Sequence, residues 1–288
     1  MLKLSSSLKA LINARHCPVP APSGIRRVFE KIAVDRVQPE RLGYYPWLAL
    51  STAATLTLDS PESVAELYSV ASSRHNPYEV ALLMREIGLK CISFSGIPRT
   101  INALFALRAA LPPDVAQRLP LVDNRQLSLD NFQPTVTRGQ RLFYSVYGPL
   151  SDRLVHRLLL AHPALPAYVL DGHYGALLSD PSGTPEEFPV GRLLTSVVAV
   201  ACLRAQPGSG LQLLSHVHGL RQAYLDGTWK SDWMSSTTDD GNQQAIEWLT
   251  SDDGAAWLLQ SVDTIADALR KQSMSSGFTF FPWIDLGE

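Results

Sequence analysis

Of the seven histidines in the 288-residue chain, two lie two residues apart in the stretch LLSHVHGLRQAYLDG, Leu213 to Gly227. Its apolar residues recur at helical spacing. On a helix, His216 shares an inward face with Leu213, Leu220 and Ala223, and Gly219 beside it permits close backbone approach. His218 points the other way, with Leu214 and Arg221. An imidazole on a buried face can act as general acid or base near pH 7. The alternative is a hydrogen-bonded core histidine with no chemistry. Side chains at i and i+2 diverge on a helix, so the two histidines cannot share a metal, and no metal site is expected.

Other polar residues sit in apolar surroundings. In EVALLMREIGLKCISF, Glu79 to Phe94, Glu86 could be a second acid or base facing His216, or could pair with Lys90 one turn on. Arg99 opens the helix after Pro98, where anions are favoured, and could hold a substrate carboxylate. Tyr147, His173, Lys90 and His218 complete the candidate substrate-binding set. Cys17, Cys91 and Cys202 form no Cys-x-x-Cys pair and are far apart in sequence. A disulfide framework or cysteine zinc site is therefore not expected, and a reducing intracellular compartment fits. Cys91 and Cys202 read as inert core thiols.

These residues must be positioned by helices. Long apolar helical runs dominate, alternating strand patterns are scarce, and Pro/Gly stretches such as GIP, ALPPD and QPGSG separate the runs. The fold class is all-α, with about ten helices. Glu79 to Phe94 and Leu194 to Ala205 are apolar nearly all round and should lie centrally. Each is followed by a Pro/Gly break and a second helix. ALFALRAA from Ala103 can be laid on HVHGLRQA from His216, a weak internal repeat that implies a pseudo-dimer of helical hairpins. DDGNQQAIEWL and SDDGAAWLLQSVDTIADALRK open on capping residues, with Trp248, Trp257, Leu258, Val262 and Ile265 as core. The apolar tail GFTFFPWIDLGE should lie over the body. A division into an N-terminal helical extension, 1–60, and a helical domain, 61–288, is one reading, and a single domain is the other.

HVHGLRQA resembles the His-x-His-x-Leu-Arg-x-Ala stretch of the AhpD alkylhydroperoxidase proteins. REIGLKCISFSGIPRTINAL is similar to the Glu…Gly-x-Pro…Ala signature of carboxymuconolactone-decarboxylase-like proteins. TRGQRLFYSVYG, VVAVACLRAQ and EWLTSDDGAAWLLQSVD resemble the long fungal AhpD-like branch, and the resemblance spans Ser60 to Lys271. It implies an AhpD-like helical bundle. It does not carry over the peroxidase thiols, since the positions seven and four before His216 are Ser209 and Gln212. Dithiol peroxide reduction needs an attacking and a resolving thiol. What the resemblance leaves is the decarboxylase branch, which works without metal or cofactor by proton transfer on a small acid.

Composition narrows the partners. The chain is 45% apolar and 18% charged with net charge −2, which favours neither nucleic acid nor an anionic membrane. No apolar run approaches the roughly 20 residues of a membrane helix. Lys3, Lys9, Arg15, Arg26 and Arg27 precede the first acidic residue, Glu30, as in a mitochondrial presequence, while a plain N-terminal helix leaves the chain cytoplasmic. The expectation is a cofactor-independent enzyme, a lyase, isomerase, decarboxylase or cyclase. It would act by His216 and Glu86 on a small or polyketide-like substrate of fungal secondary metabolism, as a monomeric pseudo-dimer or a homodimer. The alternatives are a non-catalytic helical protein that lost the thiols, or an alkylhydroperoxidase-like oxidoreductase.

Overall fold

The computed structural model describes residues 3–14, 20–35, 42–121, 125–181, 190–231 and 240–273, and no strand occurs among them. The fold is all-α, as the sequence patterning implies. Cys17, Arg15 and the tail beyond residue 273 lie outside the described residues.

Helices α1 (Ser6–Asn13) and α2 (Ile25–Ala33) lead into α3 (Tyr45–Thr57), α4 (Pro61–Ser72) and α5 (Pro77–Ser95). Helix α6 (Ile97–Ala110) follows, then the short α7 (Pro113–Arg118), α8 (Phe132–Tyr147) and α9 (Ser151–Ala161). The turn α10 (Leu165–Ala167) runs directly into a π-helix, Tyr168–Leu178. Helices α11 (Gly191–Ala205), α12 (Gly210–Leu225), α13 (Asp240–Leu249) and α14 (Asp252–Ser273) complete the described chain.

Two helices form the axis of the core. In α3 twelve of thirteen residues are buried, and in α11 thirteen of fifteen. They pack on each other, and α5 packs on both. A helix apolar on all sides is stable only when surrounded by other elements. Here α4, α5 and α14 surround α3, so residues before position 60 supply part of the one main core. Helix α6 lies on α4 and α5, whereas α12 lies on α11 and α8.

Gly96 separates α5 from α6. Its φ of 85° is in the left-handed region that a glycine adopts at no steric cost, and Pro98 follows in the first turn of α6. A second, smaller core of Phe143, Val146, Tyr174 and Leu178 joins α8 to the π-helix, beside α12.

Candidate functional site

Two close backbone approaches build the site. A methyl added at Gly139 of α8 would run into the backbone of Gly175 and Leu170, so the π-helix seats directly on α8. A methyl at Gly219 of α12 would lie 2.8 Å from Val146 Cγ1, so α12 also seats directly on α8. Tyr147, at the end of α8, is thereby held between Tyr174 of the π-helix and His216 of α12.

The three side chains form a hydrogen-bonded chain. Tyr174 Oη donates to Tyr147 Oη at 3.2 Å, and Tyr147 Oη lies 3.3 Å from His216 Nε2. With the Tyr174 proton on Tyr147, the Tyr147 proton points to Nε2, which places the neutral imidazole's own proton on Nδ1. His216 Nδ1 is buried and has no hydrogen-bond partner among the described residues. Phe94 stands edge-on to the imidazole at 5.5 Å, and Phe143 packs at 4.6 Å on Tyr147 and 5.1 Å on Tyr174.

The electrostatics keep this chain neutral. His216 is 5% exposed, and burial, followed by the nearby Arg192 guanidinium, pushes its pKa down to about 4. Burial pushes both phenols, Tyr147 and Tyr174, upward. At pH 7 the chain therefore holds its protons and carries no charge.

Arg192 ties the neighbouring elements together. Its Nε donates to Ser145 Oγ at 2.8 Å, and its Nη2 to the carbonyls of Ser145 at 3.1 Å and Gly219 at 2.6 Å. Its Nη1 donates to Ser196 Oγ. A single guanidinium fork thus bridges α8, α11 and α12.

A cluster of charges lies along the other edge of the π-helix. The fully buried Lys90 ammonium pairs with Asp180 at 2.8 Å and donates to the Leu178 carbonyl. Arg125 pairs with Glu86 at 2.8 Å, lies 3.7 Å from Asp180, and donates to the Ala176, Leu177 and Ser179 carbonyls. The Gly191 N–H, at the start of α11, donates to Asp180 at 2.8 Å. Burial raises the Asp180 carboxyl, but Lys90, the Gly191 N–H and Arg125 outweigh it and hold Asp180 below the ordinary carboxylate range. Burial, against the pull of Asp180, lowers Lys90.

Two cavities open beside this cluster. The larger, about 210 Å³, is bordered by Arg125, Asp130, Asn131, Pro134, Thr135 and Arg138, among others. The smaller, about 140 Å³, is bordered by Arg138, Leu142, Leu178, Asp180, Arg192 and Thr195, among others. Arg138 borders both, and His216 borders neither.

The structure distributes the sequence candidates as follows. His216 and Tyr147 meet, and His216 is buried with Gly219, Leu220 and Ala223. His218 is exposed beside the exposed Leu214 and Arg221. The expected Glu86–Lys90 pairing is corrected: Glu86 takes Arg125 and Lys90 takes Asp180. The reason is burial, since a fully buried ammonium needs an acceptor deep in the interior and Glu86 is still one-third exposed. The Glu86 carboxylate is thus engaged by Arg125 in the charge cluster. Arg99, half-buried at the start of α6, makes no side-chain hydrogen bond or ion pair among the described residues and borders neither cavity. His173 is half-buried on the π-helix, with a buried, unpartnered Nδ1. Cys91 and Cys202 are free, fully buried thiols whose sulfurs lie 3.6 Å apart, so their separation in sequence does not persist in space. Among the described residues no group of three or more His, Cys, Asp or Glu side chains could hold a metal ion, and no helix is long and apolar enough to cross a membrane.

Sequence reasoning missed Tyr174, Arg125, Arg138, Asp180 and Arg192. Arg192 carried a readable signal, a charge at the start of the apolar run GRLLTSVVAVACLRA. Tyr174 did not, because the π-helix breaks the 100° periodicity on which a helical wheel depends.

No family model matches the chain, and no solved structure matches it. Two curated relatives are both called Peroxisomal protein 2. One, from Saccharomyces cerevisiae, is 28% identical over 155 residues, 47% of this chain and 52% of that protein. The other, from Schizosaccharomyces pombe, is 27% identical over 187 residues, 65% of this chain and 80% of that protein. The chain spans about half the length of the first and four-fifths of the second.

Proposed function

We propose that the protein is a cofactor-independent acid–base enzyme that moves a proton on a small organic molecule, by lyase, isomerase, decarboxylase or cyclase chemistry. The observation that carries this reading is the buried Tyr174–Tyr147–His216 chain ending in an unpartnered imidazole nitrogen. A buried polar atom without a partner costs about 1–3 kcal/mol and calls for an explanation, of which a catalytic role is one. A neutral imidazole can donate from one nitrogen while the other accepts, as proton relay requires. The phenols back the ring through Nε2. With Nε2 accepting from Tyr147, Nδ1–H donates to the substrate. In the other tautomer, with Nε2–H donating to Tyr147 Oη, the bare Nδ1 takes the substrate's C–H proton. The reading includes an AhpD-like, internally duplicated origin of the fold and, from the names of the two relatives, a peroxisomal location. Co-localisation of a fluorescent fusion with a peroxisomal marker tests the location, and an exclusively cytosolic or mitochondrial signal refutes it.

The experiment for the activity is solvent exchange. A panel of small oxo acids and ketones, incubated in D2O with the protein, should show accelerated loss of one class of acidic C–H signals by proton NMR. His216→Ala should remove that acceleration. No accelerated exchange across the panel, or exchange indifferent to His216, refutes the reading.

A second reading has its own observation: neither cavity is bordered by His216. On that reading the Tyr–Tyr–His chain is a polar staple between α8, the π-helix and α12 in a non-catalytic helical protein. A thiol peroxidase is the weakest reading. Cys91 and Cys202 touch, but both are sealed in the core, where a peroxide meets no exposed thiolate.

A further inference from the structure

We infer that Arg138 anchors a binding site for a short organic acid, with the carboxylate on its guanidinium and the apolar stem on Leu142 and Leu178. This site goes beyond the reaction proposed above: His216 borders neither cavity, so the acid held here is not placed against the imidazole, and its binding is measurable on its own.

A guanidinium offers five N–H donors in a planar fork. Arg138 uses one nitrogen, Nη2, to reach Thr135 Oγ1 at 3.1 Å, and its Nε is buried with no acceptor. It makes no ion pair among the described residues, whereas Lys90 and Arg125 are both engaged by carboxylates. Burial and then the Arg125 charge disfavour the positive charge at Arg138, against the pull of Asp180, and an incoming anion offsets the Arg125 repulsion. The group sits on the wall shared by the two cavities.

Of the two cavities, the smaller suits an acid with a short carbon chain. Leu142 lies one helical turn from Arg138 on α8, and Leu178 also borders the cavity. Asp180 also borders it, but its carboxylate is already held by Lys90 and the Gly191 N–H. The larger cavity sets Asp130 against Arg138 and Arg125, and the Arg125 guanidinium is already held by Glu86 and by the Ala176, Leu177 and Ser179 carbonyls. At about 140 Å³ the smaller is well below the roughly 300–1,000 Å³ of a drug-sized pocket, which limits the ligand to a few carbons. The planar fork matches a carboxylate bidentately, which an ammonium cannot do.

The test is titration of the full-length protein with butyrate, its neutral isostere butyramide, and inorganic phosphate, followed by calorimetry or NMR shifts. Butyrate should bind, and butyramide should bind at least tenfold more weakly. Arg138→Gln should weaken butyrate about ten- to hundredfold and abolish the preference over butyramide. Arg138→Lys, which keeps the charge and loses the fork, should fall between. It carries the test if the glutamine variant does not fold. His216→Ala should bind butyrate as the wild type does, which separates binding from reaction. Equal binding of butyrate and butyramide, phosphate bound more tightly than butyrate, or butyrate binding unchanged by both Arg138 variants overturns the site. If butyrate fails to bind while His216-dependent exchange persists, the acid site falls and the acid–base reading stands.

Discussion

A histidine held neutral in the interior makes stability depend on pH in one direction. His216 has a folded pKa of about 4 against an ordinary 6.5, so between those values the unfolded chain takes up the proton and the folded chain does not. Stability is therefore undiminished above pH 6.5 and falls as the pH drops toward 4, by about 3 kcal/mol from this group over the interval. His216→Phe should flatten that part of the stability-against-pH curve, read by urea denaturation at several pH values. An unchanged slope would place the imidazole in a solvated setting. Lys90 makes the complementary case. Lys90→Ala leaves the Asp180 carboxylate without its main cation, and breaking a buried pair from one side costs about 3–5 kcal/mol. A melting temperature lowered by about 10 °C is the expected result. A loss of less than 2 °C would mean that the pair adds nothing to the fold.

At the scale of the elements, small residues set where helices meet. Gly219→Ala puts a methyl 2.8 Å from Val146 Cγ1 and 2.9 Å from the Val146 carbonyl, so α12 must move off α8. Overpacking of this kind costs about 1–3 kcal/mol. Because Val146 adjoins Tyr147, the shift should also lengthen the Tyr147–His216 bond. Both effects are measurable, as a lower melting temperature and a changed His216 imidazole NMR signal, and a variant identical to wild type in both would show that the helices adjust freely.

Sequence patterning was informative wherever one face of a helix differs from the others. Leu220 and Ala223 beside His216, and Trp257, Leu258, Val262 and Ile265 of α14, are buried as their spacing implies, while Leu213 is buried only in part. Glu79 to Phe94 falls within α5 and Leu194 to Ala205 within α11. The same logic could not find α3, because YPWLALSTAATLT has no polar face to set against its apolar one. Nor could it assemble Lys90, Glu86 and Arg125 around the π-helix, since Arg125 reaches Glu86 39 positions away and Lys90 reaches Leu178 88 positions away, leaving no local period. The Cys91–Cys202 contact was hidden for the same reason, as it depends on α5 lying against α11. Burial of both thiols predicts no labelling of Cys91 or Cys202 by a thiol reagent in the native protein and labelling of both on unfolding. Rapid native labelling at either position would contradict the packing of these two helices.

For the molecule as a whole, the central claim is that a neutral, buried proton chain is the working part and the helical bundle is its holder. The most direct measurement is the rate of solvent exchange into the responsive substrate for His216→Ala, Tyr147→Phe and Tyr174→Phe, alongside each variant's melting temperature. The account predicts a graded loss. His216→Ala should lose about 10²–10⁴-fold, the usual contribution of a general acid or base, with Tyr147→Phe losing less and Tyr174→Phe least. All three should remain folded. Exchange rates equal to wild type in folded His216→Ala protein would contradict the claim and leave the Tyr174–Tyr147–His216 chain as a structural staple.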